Sequence, residues 1–272
     1  MFYLFGLVSS YWKPTAGTTW QIQLKDCANV NTSYSVAAYD IDLFDTPDST
    51  FSLLKSRGTK IICYFSAGSF ENWRADAGNF TSDMYGNGLN GWPGEFWLDT
   101  TNSKVRNIMV NRMQYAQQRG CDAVDPDNVD GYNQQTGFSL TYQTQLDYNT
   151  FLANTAHDLG MGVGLKNDLG QITDLVNVFD FQVNEQCFQM GECNKLLPFI
   201  NANKPVFGIE YQGDPSAVCP TANQDNFSTL FKGLDLTGPS TQCFGPYSKA
   251  ATPTSGSVEK FFSLYLLCLA FL

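Results

Sequence analysis

Short apolar runs alternate with longer amphipathic stretches over most of this 272-residue chain. The run at 60–66 is almost continuously apolar, as in a strand that a parallel sheet buries on both faces. The stretches at 102–119 and 140–159 repeat apolar residues at helical spacing, which predicts amphipathic helices. The pattern predicts eight strands in all, at 18–24, 35–43, 60–66, the start of 120–132, 162–167, 178–185, 205–211 and 240–244.

Helices are predicted between these strands, over 46–58, 102–119, 140–159, 170–177, 193–203 and 223–232. Eight strands alternating with helices predict an α/β protein with a single (β/α)8 TIM barrel, which we place at residues 11–244. An open doubly wound sheet is the alternative, but no GxGxxG or P-loop motif follows a predicted strand, which excludes its usual nucleotide-binding forms. Residues 67–98 lack a clear period and predict a long functional loop or a packed lid.

Composition and charge narrow the classes of partner. The hydrophobic fraction of 43% is enough for a core, and the net charge of −10 argues against nucleic acid, whose phosphates require Lys and Arg. His157, the only histidine, lies in a predicted helix and is expected at its surface, so a Ser–His–Asp triad is not expected. Residues 125–136 begin like a calcium loop, but Val129 and Thr136 occupy ligand positions. We predict no metal, no cofactor and a monomer.

Both ends of the chain resemble targeting segments. Residues 1–10 are an apolar run followed by two serines, like the end of a truncated signal peptide. Residues 245–260 form a linker rich in Ser, Thr and Pro, and the apolar tail at 261–272 is too short to span a bilayer. This order is the layout of a GPI-anchor signal and predicts that the protein is attached to a membrane through a lipid at its carboxyl end. The alternative is an amphipathic helix docked on the barrel.

Cysteines and glycosylation motifs indicate the secretory route. The eight cysteines include no CxxC pair and are typical of an oxidising compartment. Cys187 and Cys193 lie close enough to close a short loop. Cys219 with Cys243 is a weaker guess, because eight cysteines allow about a hundred pairings. We predict a secreted or cell-surface protein with N-glycans at Asn31, Asn79 and Asn226.

Polar residues collect at the carboxyl ends of the predicted strands, whereas the strand starts are apolar or glycine. In a (β/α)8 barrel these ends form the mouth where catalytic groups lie. A single acid there could be a helix N-cap or part of a salt bridge, but the same feature on six strands predicts a site. The side chains are Asp40, Asp42, Tyr64, Ser66, Asp125, Asp127, Asn128, Lys166, Asn167, Glu185, Gln186, Glu210 and Tyr211.

These residue types suit a sugar-binding cleft, because amides and carboxylates bond hydroxyl groups and aromatic rings cover sugar rings. Cleavage of a glycosidic bond needs two carboxyl groups, one protonated for the leaving oxygen and one ionised as nucleophile or base. Asp125 and Asp127 lie two residues apart in a strand and project to the same side, where like charges are costly to bury. We therefore expect a carboxylate-based hydrolase.

Six strand-end motifs, in order, resemble glycoside hydrolase family 114, the fungal-type endo-α-1,4-polygalactosaminidases, over roughly residues 12–243. They read YDIDLFDT at 39–46, ICYFSAG at 62–68, GCDAVDPDN at 120–128, GLKN at 164–167, FQVNE at 181–185 and FGIEY at 207–211. The resemblance implies a barrel that cleaves internal α-1,4 bonds of a cationic galactosamine polysaccharide. It maps the catalytic pair onto Asp127 and Glu185.

The residues themselves suggest roles for this pair. Asp127, beside Asp125 and Asp130 and opposite Lys166, is expected to be the ionised nucleophile or base. Glu185 follows an apolar strand, and since burial raises a carboxyl pKa it is expected to be the proton donor. Salt should weaken binding of a cationic chain to such an acidic cleft. The expected substrate-binding residues are Asp42, Tyr64, Asp99, Asp125, Asn128, Lys166 and Glu210.

Two other functions stay open at this point. The same barrel could bind cell-wall polysaccharide without cleaving it, although the intact Asp127 and Glu185 argue against this. The protein could also be an anchored surface protein whose tail matters more than its cleft.

Overall fold

Within residues 11–244, which this computed structural model describes, twelve strands form two sheets. The strands are β1 (Trp20–Gln23), β2 (Ala38–Asp42), β3 (Lys60–Ser66), β4 (Ser69–Glu71), β5 (Tyr85–Gly88), β6 (Glu95–Leu98), β7 (Ala123–Asp127), β8 (Gly162–Lys166), β9 (Phe181–Glu185), β10 (Val206–Glu210), β11 (Ser228–Phe231) and β12 (Thr241–Gln242). Eight of them are parallel neighbours in the order β1-β2-β3-β7-β8-β9-β10-β11. The predicted (β/α)8 barrel is confirmed.

The helices of this part of the chain are α1 (Asp48–Ser56), α2 (Ser103–Arg119), α3 (Tyr142–Asp158), α4 (Ile172–Leu175), α5 (Cys187–Met190), α6 (Leu197–Asn201) and α7 (Pro215–Gln224). The two long helices begin where side-chain caps satisfy free backbone N–H groups. Asn102 accepts a hydrogen bond from the Lys104 N–H, and Thr141 forms a capping box with Thr144. Gly120 ends α2 at a φ of 76°, a left-handed conformation that glycine adopts without strain.

The barrel interior is filled by side chains from opposite strands. Trp20 of β1 stacks on Phe207 of β10, with ring centroids 4.8 Å apart, and Phe181 of β9 packs against the same ring. Side chains close the barrel between β1 and β11. The Trp20 Nε1–H donates to the Ser228 carbonyl at 2.7 Å, and Lys232 Nζ donates to the Ile22 carbonyl at 2.6 Å. Each buried donor therefore finds an acceptor across the junction.

The last repeat differs from the prediction. Residues 223–232 were expected to be helical, but α7 ends at Gln224 and Ser228–Phe231 is the eighth barrel strand, parallel to β10. The segment expected to be the eighth strand contains only β12, which pairs antiparallel to β11. The helix starts earlier because the Asp214 side chain caps it and Pro215 occupies its first turn.

The insertion at 67–98 is an ordered sheet and not an irregular loop. Strands β4, β6 and β5 lie side by side in antiparallel directions. Phe70 stacks on Tyr85 with ring centroids 4.4 Å apart, and Phe80 and Phe96 complete an aromatic core beneath the sheet. Its strands have three or four residues, too short for a two-residue period to be visible.

Both predicted disulfides, Cys187–Cys193 and Cys219–Cys243, are confirmed. A third, Cys63–Cys121, joins β3 to the end of α2 and was not predicted, because its partners are 58 residues apart. His157 is not a plain surface residue, since its Nε2 lies 2.8 Å from Asp180 Oδ2 and its ring stacks on Tyr11.

The predicted leader (1–10), linker (245–260) and tail (261–272) lie outside the described residues. In residues 11–244, none of the helices has the length and apolar character needed to cross a membrane. The predicted glycosylation sites Asn79 and Asn226 are exposed, and Asn31 is half-buried. Their glycosylation stays a prediction.

Candidate active site

A cavity of about 300 Å³ opens at the carboxyl ends of the barrel strands, where the strand-end residues predict it. The insertion contributes one wall and the barrel contributes the rest. The polar and aromatic side chains of its lining are Lys25, Tyr64, Trp92, Glu95, Asp127, Asn128, Asp130, Lys166, Asn167, Glu185, Gln186, Tyr211 and Asp235.

Lys166, at the end of β8, lies between two carboxylates of the cavity. Its Nζ is 3.2 Å from Asp127 Oδ2 and 3.9 Å from Glu185 Oε2. Burial by itself lowers the pKa of this lysine, but the surrounding carboxylates outweigh it and leave the pKa raised. Lys166 therefore stays cationic and holds both carboxylates at one wall. The predicted position of Lys166 opposite Asp127 is confirmed.

Asp127 accepts hydrogen bonds from two further donors. The Tyr64 hydroxyl donates to its Oδ2 at 3.0 Å, and the Asn128 backbone N–H donates to its Oδ1 at 2.7 Å. Burial and the charge of Asp127 hold the Tyr64 pKa well above its ordinary value, so the phenol keeps its proton. Three donors, one of them cationic, make this a suitable environment for an ionised nucleophile or base.

Glu185, at the end of β9, accepts from the Tyr211 hydroxyl and, at 3.1 Å, from the Asn167 side-chain amide. Its side chain is 27% exposed. The apolar burial from which we predicted a proton donor is therefore absent, because the end of β9 reaches the cavity. The two carboxylates still differ in their distance to Lys166, since Glu185 lies farther from its Nζ than Asp127 does.

Each of these three strand-end residues precedes a non-glycine residue in a left-handed conformation. Asn128, Asn167 and Gln186 have φ angles of 61°, 50° and 66°. Such angles are unfavourable for residues with a Cβ and are concentrated at functional sites. Here they turn the backbone away directly after Asp127 and Glu185, which leaves both carboxylates facing the cavity.

Two predicted substrate-binding residues, Asp42 and Asp99, have structural roles away from the cavity lining. Both oxygens of Asp42 bond the Arg74 guanidinium, at 2.8 and 3.0 Å, and both groups are buried. Asp99 accepts from the Thr101 backbone N–H at 3.0 Å, in the turn before α2. Sequence position places an acid at a strand end but does not show whether a partner from another segment engages it.

Glu210 and Asp125 were also predicted to bind substrate and do not line the cavity either. Because Ile209 packs inside the barrel, Glu210 points outward, where it accepts from the Phe188 backbone N–H at 2.9 Å. Asp125 points inward but lies too deep, fully buried below Lys166 and next to Asp40 of β2. Of the seven predicted binding residues, only Tyr64, Asn128 and Lys166 line the cavity.

Asp40 and Asp125 form a carboxyl pair at the centre of the barrel. Neither carboxyl is exposed to solvent, and two like charges this close in a buried site favour the state in which one of the two carboxyls carries a proton. Burial raises the pKa of Asp125 to about 7, although Lys166 opposes the shift. Burial and the charge of Asp125 raise the pKa of Asp40 well above its ordinary value.

This pair predicts an unusual pH dependence of stability. Between about pH 4 and pH 7 the folded protein keeps a proton that the unfolded chain releases, so its free energy of unfolding should fall as pH rises, by up to about 1.4 kcal/mol per pH unit. Asp125→Asn should make this decline shallower without removing it, because the buried Glu95 carboxyl also has a raised pKa and adds to the slope, whereas Asp158→Asn, at an exposed position, should leave the slope unchanged. Urea unfolding across this pH range measures the slopes, and equal slopes for the unmodified protein and Asp125→Asn would contradict the shared proton.

Glu95 and Trp92, both in the insertion, line the cavity and were not predicted as site residues. Glu95 is only 5% exposed. Burial raises its pKa to about 8. The sequence did indicate a functional segment here, but without recognisable strands it could not show which side chains face the barrel.

The chain was compared with protein families and with solved structures. The profile of glycoside-hydrolase family GH114 matches residues 7–247. A crystal structure of Aspergillus fumigatus Ega3 in complex with galactosamine is 41% identical, covers 88% of this chain and 100% of its own, and superposes with a TM-score of 0.82.

More distant structures share the fold. The glycoside hydrolase domain of PelA from Pseudomonas aeruginosa is 12% identical, covers 80% of this chain and 94% of its own, and has a TM-score of 0.61. None of the curated proteins matches the chain significantly. A family match over almost the whole barrel, together with 41% identity to Ega3, is decisive: the chain belongs to glycoside-hydrolase family GH114.

Proposed function

We propose that this hydrolase cleaves internal α-1,4 bonds of a galactosamine-containing polysaccharide, with Asp127 and Glu185 as the catalytic pair. The observation that carries the proposal is the contact of both carboxylates with Lys166 at the wall of the barrel cavity. Two carboxyl groups flanking one bond are what glycoside hydrolysis requires.

The two carboxylates take different roles in this proposal. Asp127, bonded by Tyr64 and closest to Lys166, acts as the nucleophile or base. Glu185 delivers the proton to the leaving oxygen, because it lies farther from the lysine and faces the open cavity. Tyr64, Asn128 and Lys166 orient the substrate beside the pair.

The proposed substrate is a polymer with free amino groups. Ega3, the 41% identical relative, has been crystallised with galactosamine. The cavity lining carries five acids, at 95, 127, 130, 185 and 235, against two lysines, at 25 and 166. This excess of negative charge favours a cationic sugar chain, and added salt should weaken its binding.

Product release tests the proposal directly. The protein is incubated with partially deacetylated α-1,4-galactosaminogalactan, with the fully N-acetylated polymer and with a neutral galactan, beside an Asp127→Asn preparation. We expect oligosaccharides of several lengths from the first polymer only, and none from the variant. A folded protein that binds the polymer and releases no products would instead be a polysaccharide-binding barrel.

Secretion fits the same proposal. Disulfides such as Cys63–Cys121 persist in oxidising compartments, where a wall polysaccharide would be met. Attachment through a lipid at the carboxyl end remains a prediction.

A further inference from the structure

Glu95 is a third carboxyl group of the cavity, and the barrel holds it in place from several strands. Its Oε1 accepts from the Ser69 hydroxyl and, at 3.2 Å, from the Asn128 side-chain amide. The Ser69 hydroxyl in turn bonds the Ser66 hydroxyl. Glu95 is thus fixed by residues of β3, β4 and the end of β7, directly beside the Asp127–Asn128 turn.

Glu95 differs from the catalytic carboxylates in having no cation beside it. Asp127 and Glu185 share Lys166. Among the ion pairs of the described residues none includes Glu95, and the nearby Arg74 is engaged by Asp42, Asp45 and Glu71. A nearly buried carboxyl that lines a cavity without a counter-charge is suited to a ligand that brings the positive charge.

The surroundings of Glu95 keep its carboxyl protonated as long as no cationic group lies next to it. Burial is the main cause, and the charges of Glu71 on β4 and Asp127 on β7 raise its pKa further, to about 8. The Ser69 hydrogen bond and Arg74 oppose the shift without reversing it. A cationic group placed next to the carboxyl would favour the ionised form.

We propose that Glu95 binds the 2-ammonium group of a galactosamine unit and so selects free amino sugars over N-acetylated ones. This inference rests on the proposed function and names the residue that sets its substrate class. On binding, the carboxylic acid of Glu95 releases its proton to solvent and a carboxylate–ammonium pair forms, with no bond of the sugar changed. An acetamido group cannot form this pair, because it is neutral.

Proton release on binding provides the test. Galactosamine is titrated calorimetrically into the protein at about pH 6.5 in two buffers of different ionisation enthalpy. As a monosaccharide it has no glycosidic bond that the enzyme could cleave. We expect release of nearly one proton per sugar from the unmodified protein and none from Glu95→Gln, whose affinity for galactosamine should fall about tenfold or more. N-acetylgalactosamine should release no proton from either.

Asp130→Asn is the matched control, since Asp130 is another carboxyl of the cavity lining, although only half-buried, and accepts a hydrogen bond from Gln134. It should keep the proton release, and Glu95→Asp should keep part of it, which separates loss of charge from loss of structure. Unchanged release in Glu95→Gln, or release lost in Asp130→Asn, would overturn the assignment. If the protein hydrolyses the polymer but galactosamine releases no proton, this inference alone fails, whereas absence of both binding and hydrolysis removes the proposed function as well.

Discussion

Asp127→Asn and Glu185→Gln are each expected to lower kcat on a galactosamine polymer by about 10³-fold or more. Both amides keep the shape of the carboxyl, although an NH2 group replaces one of its two accepting oxygens, and neither can serve as a nucleophile or a proton donor. Lys166 would lose one of its two carboxylate partners in each variant. The loss should therefore appear in kcat, while KM changes little.

Initial rates of reducing-end release, with the folded state checked by thermal unfolding, measure this prediction. Asp235→Asn is the control, because Asp235 lines the cavity but has no contact with Lys166 among the ion pairs of residues 11–244. It should stay within a few-fold of the unmodified rate. The double variant should be no slower than the worse single variant, since residues that act as a unit are not additive. A kcat within tenfold of normal for either single variant would remove that residue from the catalytic pair.

Arg74→Met is expected to cost about 3–5 kcal/mol of unfolding free energy. Arg74 and its partners Asp42 and Glu71 each have side chains only 1% exposed. Removing the guanidinium leaves two buried carboxylates without a counter-charge. The free-energy cost of these uncompensated charges is far larger than the net stabilisation that the intact ion pairs contribute. Because Arg74 joins β2 to the insertion, the loss should also disturb the cavity wall that carries Glu95.

Equilibrium urea unfolding at neutral pH measures this second effect. Arg106→Met is the matched control, because Arg106 pairs with Asp147, whose side chain is 64% exposed. Surface ion pairs of this kind contribute at most about 1 kcal/mol. If the two variants lost similar amounts, the buried network around Arg74 would not be the main support of the insertion.

The pattern along the chain was sufficient for the fold and for the position of the cavity in it. Near-continuous apolar runs predicted parallel strands, and the rule that such strands present functional groups at their carboxyl ends gave a set of candidates that includes Asp127, Lys166 and Glu185. The choice of Asp127 and Glu185 as a pair came from the resemblance to the family. The strand-end rule worked because the geometry is local: a residue at the end of a parallel strand reaches the barrel mouth wherever neighbouring strands end at the same level. The disulfide Cys187–Cys193 could be predicted for the same reason, because its two cysteines are only 6 residues apart.

Contacts between distant segments decided the surroundings of the other acids and the position of the eighth strand. Asp42 is occupied by Arg74, 32 residues later, and Asp125 shares a proton with Asp40 on another strand. The eighth strand was misplaced because Ser228–Phe231 is defined by its neighbour β10 and not by its own short pattern.

Glu95 shows most clearly what local sequence cannot predict, since nothing in the residues around it identifies it as a cavity residue. Only the packing of the insertion against β3 and β7 brings it beside Asn128. The chain by itself therefore determined the barrel and the mouth at which polar strand-end residues collect, because periodicity and strand ends are local properties. Tertiary structure decided which of the other acids face the cavity, because burial and counter-charge come from residues far away in the sequence.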